Sequence, residues 1–166
     1  MSNTPEPVIR LSDLTLEPFE HGERFRSMDA GLSERMALTQ LGAGYCEVPP
    51  GKTGCPFHVH HVEDELFVVL SGSGEYRFGE AVHPVAAGDV LGAPRGGPEY
   101  AHQLINTGTE TLRYLAISSK AVTDVCEYPD SDKFQIMSRR NAAGESSFRY
   151  VGRAHTHLDY FDGEEV

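Results

Sequence analysis

The chain of 166 residues contains no tryptophan, few bases and no long apolar run. Fourteen Lys and Arg stand against 25 Asp and Glu, for a formal net charge of −11. A nucleic-acid partner needs a positive footprint for its phosphates, so none is expected, and an anionic membrane surface is not expected on the same ground. The longest uninterrupted apolar run, Leu66 to Leu70, is far too short to span a bilayer. The opening MSNTPEPVIR lacks a basic region followed by an apolar stretch, so no secretory signal is expected. Cysteine is scarce: Cys46, Cys55 and Cys126 are odd in number and follow neither zinc-knuckle nor thioredoxin spacing. Three free thiols in a reducing cytoplasm is the plain reading, with Cys55 a small semi-buried residue. A small anionic ligand remains compatible with the charge, because a few local arginines can dominate a pocket.

Seventeen glycines and ten prolines point to many tight turns, as in an all-β domain. Residues 1–34 read as an irregular polar arm with one short strand near Val8–Leu11. Residues 35–120 form a β-rich core, and 121–166 an extension packing on that core or on a partner subunit. Within the core, strands are expected at Met36–Leu41, Gly44–Val48, Phe57–His61, Leu66–Leu70, Glu75–Phe78, Ala81–Val85, Val90–Ala93, Tyr100–Asn106 and Leu112–Ser118. Turn signals separate them: Pro49-Pro50-Gly51, Ser71-Gly72-Ser73-Gly74, Gly79-Glu80, Ala87-Gly88-Asp89 and Thr107-Gly108-Thr109-Glu110. No segment holds a 3.6-residue apolar period over three turns, which indicates a sandwich or small barrel. The extension carries a short helix near Phe134–Arg139, an edge strand at Arg149–Val151 and an acidic tail whose Tyr160 and Phe161 dock on the barrel or a neighbour.

The chemistry concentrates in His58-Val59-His60, with Glu65 after it and His102 further on. Three imidazoles and one carboxylate are a ligand set for one divalent transition metal: Mn, Fe, Ni, Co or Zn. In a strand, residues i and i+2 share a face, so His58 and His60 can grip one ion. An unbroken strand would next bring Val62 and Asp64 to that face. Placing Glu65 there requires a turn at residues 61–64, after which Phe67 and Val69 share its face as an apolar floor. Single histidines in polar surroundings are ordinary surface residues, and His21, His61, His83, His155 and His157 are so read.

Gly51/Gly54, His58, His60, Glu65 and Gly72 resemble the first motif of the cupins, in which H-x-H is followed by Glu and then Gly. Four residues separate His60 from Glu65 and six separate Glu65 from Gly72, as in that pattern, while Gly51 is one residue further from His58 than usual. Gly88, Pro94, Gly96, His102 and Asn106 resemble the second motif. Between Gly96 and His102 this chain carries five residues, Gly97-Pro98-Glu99-Tyr100-Ala101, where that family usually has two, so the segment holds an insertion. The resemblance spans about residues 36–118 and implies a double-stranded β-helix, an antiparallel jelly-roll barrel with His58, His60, Glu65 and His102 turned inward onto one ion.

Three functions follow from the resemblance. One is a metal-dependent enzyme on a small polar, sugar- or sugar-phosphate-like substrate, using isomerase-type Lewis-acid chemistry. The second is an Fe(II)-dependent dioxygenase, and the third a binding module for a metal or small ligand without turnover. An isomerase needs a general base near the reacting carbon; Glu47 is the candidate, with Tyr45 or Tyr100 as proton donors. Lys52 and Arg95, in loops near the ligands, are candidates for a phosphate cradle. A homodimer is expected, because a barrel of this size protects its edge strands.

Overall fold

The computed structural model describes residues 4–139, 146–154 and 157–164. Among these described residues thirteen strands carry the fold: β1 (Glu17–His21), β2 (Phe25–Gly31), β3 (Leu41–Val48), β4 (Val59–His60), β5 (Glu65–Ser71), β6 (Ser73–Phe78), β7 (Ala81–Ala86), β8 (Val90–Ala93), β9 (His102–Ile105), β10 (Leu112–Ser119), β11 (Thr123–Tyr128), β12 (Lys133–Arg139) and β13 (Ser146–Gly152). Short 3-10 turns at Leu11–Asp13, Pro98–Tyr100 and Pro129–Ser131 complete the elements. Among the described residues no helix is long and apolar enough to cross a membrane.

One sheet runs β1-β2-β3-β10-β5-β8, with antiparallel pairing throughout. The strands β7-β6-β9 and β13-β12-β11-β4 form two further groups. An antiparallel bridge between His58 and His102 joins them into one continuous layer. The core fills the space between the layers. Val48, Phe67, Val69, Leu91, Leu112 and Tyr114 come from the first sheet, and Tyr76, Val85 and Leu104 from the second. Strand alternation explains the choice: in β5, Phe67 and Val69 are buried while Leu66 and Leu70 are exposed. Gly72 turns β5 into β6 at φ +82°, and a Cβ there would lie 2.7 Å from the Thr111 carbonyl oxygen. Only glycine meets both demands. The result is an all-β, double-stranded β-helix.

Three local expectations are corrected. Met36–Leu41 is largely a turn, with the strand starting at Leu41. Ala37 sits at φ +55°, which breaks an extended run. The arm has no strand at Val8–Leu11; it supplies β1 and β2 instead, and β2 pairs with β3 at the sheet edge. Phe134–Arg139 is strand rather than helix, because β12 pairs with β11 on one side and β13 on the other. That tertiary pairing overrides a weak local helical preference. The expected edge strand at Arg149–Val151 lies within the longer β13.

Candidate metal centre

His58, His60, Glu65 and His102 arrive from four points of the chain. His58 closes the loop before β4, His60 ends β4, Glu65 opens β5 and His102 opens β9. Between His60 and Glu65 the chain leaves the strand, and several of its polar groups are tied down. Val62 N–H donates to Asp124 Oδ1 at 3.0 Å, Asp64 N–H to Ser119 Oγ at 2.9 Å, and Ala121 N–H to Glu63 Oε1 at 2.7 Å. Asp64 is itself engaged elsewhere, accepting the Arg95 N–H at 3.0 Å. The turn thus brings Glu65, rather than Asp64, toward the histidines.

The four side chains converge on one point. Glu65 Oε2 lies 2.9 Å from His102 Nε2 and 3.5 Å from both His58 Nε2 and His60 Nε2. Their side chains are only 3% to 18% exposed. Each ring's other nitrogen is committed outward: His58 Nδ1 to Pro56 O at 2.8 Å, His102 Nδ1 to Tyr100 O at 3.3 Å, and His60 Nδ1 to Asp124 Oδ2 at 2.5 Å. A carbonyl or carboxylate oxygen accepts and cannot donate, so Nδ1 of each ring carries a proton and Nε2 is the nitrogen left to offer a lone pair to a metal. Three such lone pairs and one carboxylate make a donor set that fits a divalent transition metal. Alternative triplets among the described residues are His58/His60/Cys126 and His60/Glu63/Asp124, each with ligand atoms within 4.8 Å of one another.

Electrostatics follow from the same packing. Burial opposes charge on Glu65, but hydrogen bonds to His102 and His58 and the nearby His60 outweigh it and hold the carboxyl far below the usual range. Burial pulls His102 down despite its Glu65 partner. Burial works the same way on His58, yet hydrogen bonds to Cys55 and Glu65 carry it well above its ordinary value. The surrounding Tyr76, Tyr128 and Cys126 are all pushed up by burial and stay protonated.

Around this point the other expected residues divide. Phe67 packs its ring 5.6 Å from the His102 ring, and Val69 lies deeper in the core. Tyr45 and Glu47 do not face the histidines. They alternate with the core residues Cys46 and Val48, so they point to the opposite face, where Tyr45 Oη donates to Glu47 Oε1 at 2.7 Å and Arg113 Nε donates to the same oxygen at 3.0 Å. Burial and that carboxylate push the Tyr45 phenol up to about 12. Tyr100 packs its ring at a tilt against Phe78 and is partly exposed, and its contribution to the centre is the carbonyl that meets His102 Nδ1. Lys52 Nζ donates to the Glu23 carbonyl, and the Arg95 side chain is exposed. The insertion before His102 forms the Pro98–Tyr100 turn and buries Ala101 against Phe57 and Val59.

Of the surface histidines, His61 accepts or donates to Glu127 at 3.1 Å, and His155 lies outside the described residues, as do Thr156 and Glu165. The sequence reading missed β11. Its alternate residues Asp124, Cys126 and Tyr128 line the centre. Asp124 holds His60, Cys126 stands in register opposite His60, and the Tyr128 ring stacks 6.1 Å from His58. The strand-favouring residues Thr123, Val125 and Tyr128 are its one weak local signal. A cleft of about 900 Å³ lined by Asp13, Glu17, Phe19, Asp29, Arg35 and Lys120 lies between the arm and β3 and contains none of these groups.

Comparison with known proteins agrees with this architecture. Residues 44–118 match the family described as Cupin domain. The chain is 28% identical over 114 residues to an oxalate-binding protein of Thermotoga maritima, covering 66% of this chain and 91% of that one. A candidate sugar phosphate isomerase from Acidithiobacillus ferrooxidans superposes with a TM-score of 0.75 at 28% identity, covering 92% of this chain and 96% of its own. A sugar phosphate isomerase of the cupin superfamily from Silicibacter pomeroyi gives the same TM-score at 21% identity, over 93% and 98% of the two chains. Residues 44–118 of the chain thus form a cupin domain.

Proposed function

We propose that this protein is a metal-dependent enzyme acting on a small polar, sugar- or sugar-phosphate-like substrate by isomerase-type chemistry, with His58, His60, Glu65 and His102 holding one divalent transition metal. The observation that carries the reading is the convergence of three Nε2 atoms on Glu65 Oε2 while every Nδ1 is bonded outward. The candidate isomerase from Acidithiobacillus ferrooxidans supports the substrate class, since its likeness covers 92% of this chain and so includes most of both flanking segments. A divalent ion so held supplies Lewis-acid polarisation of a substrate carbonyl.

The chain's own residues then bind, orient and exclude water. Phe67 and Tyr76, with rings 5.6 Å and 6.2 Å from His102, give the site an apolar wall. Tyr128 covers His58, and its raised pKa keeps it a hydrogen-bond donor at neutral pH. Glu47 and Tyr45 take no part in proton transfer in this reading, because both are turned to the other face with Arg113.

A second reading rests on the Thermotoga oxalate-binding relative: the same centre holds a small dicarboxylate without turnover. One set of measurements separates the two. Elemental analysis of the purified protein is expected to give near one transition metal per chain, and NMR with a panel of aldose and ketose phosphates is expected to show interconversion. Tight oxalate binding with every sugar phosphate recovered unchanged supports the binding module instead. Oxygen uptake by the iron-loaded protein with any substrate favours a dioxygenase over both.

The protein is further proposed to be a homodimer of the cytoplasm. The free thiols Cys46, Cys55 and Cys126 support the compartment. Exposed Leu66, Leu70 and Val90 on the outer face of the six-stranded sheet support the dimer.

A further inference from the structure

We propose that Asp124, on the extension strand β11, is a positioning residue that fixes the tautomer and orientation of His60 and so sets the affinity of the metal centre. This rests on the metal-holding reading above. Asp124 lies beyond residues 44–118, so the matched cupin segment does not itself supply this group.

The geometry is specific. Asp124 is 3% exposed and both its oxygens are used: Oδ2 meets His60 Nδ1 at 2.5 Å and Oδ1 accepts the Val62 N–H at 3.0 Å. Those two bonds grip the chain on either side of His61, where the strand must break to deliver Glu65. The strand is placed by the Cys126↔His60 and Glu127↔Val59 pairs. The Nδ1 atoms of His58 and His102 meet backbone carbonyls, whereas that of His60 meets a side-chain carboxylate. A charged acceptor on Nδ1 makes Nε2 a stronger donor than a neutral carbonyl does, and loss of such a partner ordinarily weakens metal binding by roughly 10- to 100-fold. The nearby Glu63 is also buried, but it accepts the Ala121 N–H, and with the Asp124 oxygens occupied the His60/Glu63/Asp124 group serves as a hydrogen-bonded brace.

The test uses the full chain in two forms. In metal-free protein carrying ¹⁵N-labelled histidine, long-range proton–nitrogen correlation is expected to show His60 protonated on Nδ1 in the wild type and a mixed tautomer in Asp124→Ala. Titration with Co²⁺, followed by its visible bands, is expected to show affinity roughly 10- to 100-fold lower in Asp124→Ala. Asp124→Asn keeps an acceptor for His60 but turns its amide toward the Val62 N–H, so it is expected to fall between the two. It also carries the test if Asp124→Ala fails to fold.

An unchanged His60 tautomer together with unchanged Co²⁺ affinity overturns the proposal. So does a wild type that binds two Co²⁺ and loses one on Asp124→Ala, since Asp124 would then be a ligand. A wild type that binds no Co²⁺ overturns the metal-holding reading and this proposal with it. Cobalt binding indifferent to Asp124 overturns this proposal alone.

Discussion

Asn106 is fully buried and every polar group of its side chain is satisfied. Its amide nitrogen donates to Val48 O at 2.7 Å and Glu110 O at 2.8 Å, and its oxygen accepts the Gly108 N–H at 3.0 Å. Its backbone N–H reaches Lys52 O, and its carbonyl accepts the Gly51 N–H. One side chain therefore ties the end of β3 to the turn between β9 and β10. Replacing it with Ala strands several buried groups at about 1–3 kcal/mol each before relaxation. Asn106→Ala is expected to cost about 3 kcal/mol in urea denaturation while Co²⁺ affinity of the folded fraction changes little. His60→Ala is the opposite case. It removes a donor at the mouth of the centre, so bound metal in elemental analysis is expected to fall sharply while the circular dichroism spectrum is retained.

At the scale of elements, the strands that bear the ligands were legible because their signals are local. β5 shows a short apolar run between polar turns, β6 and β7 flank Gly79-Glu80, and His58 and His60 carry strand spacing. The need for a break at residues 61–64 followed from parity alone. β11 and β12 were not legible for a physical reason: β11 is placed by pairing with β4, which has only two residues and no pattern of its own, and β12 is placed in turn by β11. Asp124 looks like any acidic surface residue until β11 is laid beside His60. Glu47 misled in the reverse direction. Its nearness in sequence to Cys46 and Val48 says nothing of side, and alternation turns it away with Tyr45. Because β11 is paired on both edges, Val125→Pro is expected to remove a ladder bond and cost about 3 kcal/mol. The same substitution is expected to weaken Co²⁺ binding, since the shift of β11 carries Asp124 with it. Chemical denaturation and the cobalt titration read the two effects separately.

At the scale of the whole molecule, the outer face of the six-stranded sheet is unusually apolar for a chain with a net charge of −11. The register sets Leu115 between Tyr45 and Val68, and Ile117 between Ala43 and Leu66, with Val90 beside Val68. Light scattering behind size exclusion is expected to give twice the 18.2 kDa chain mass. Leu66→Glu, which places a charge in the middle of this patch, is expected to shift the mass toward the monomer without altering bound metal. A monomeric wild type removes the dimer and leaves the centre as described.

The bridge that joins the second layer is made by two of the proposed ligands themselves. His58 N–H donates to His102 O at 3.1 Å, and His102 N–H donates to His58 O at 2.7 Å. If these side chains hold the ion as proposed, the layer cannot part there without separating two imidazoles of the same centre. A bound ion would then act as a clasp that favours the closed seam. The His58 and His102 amides are expected to be among those most slowed in hydrogen exchange when metal is added, because the ion binds the closed seam and not the open one.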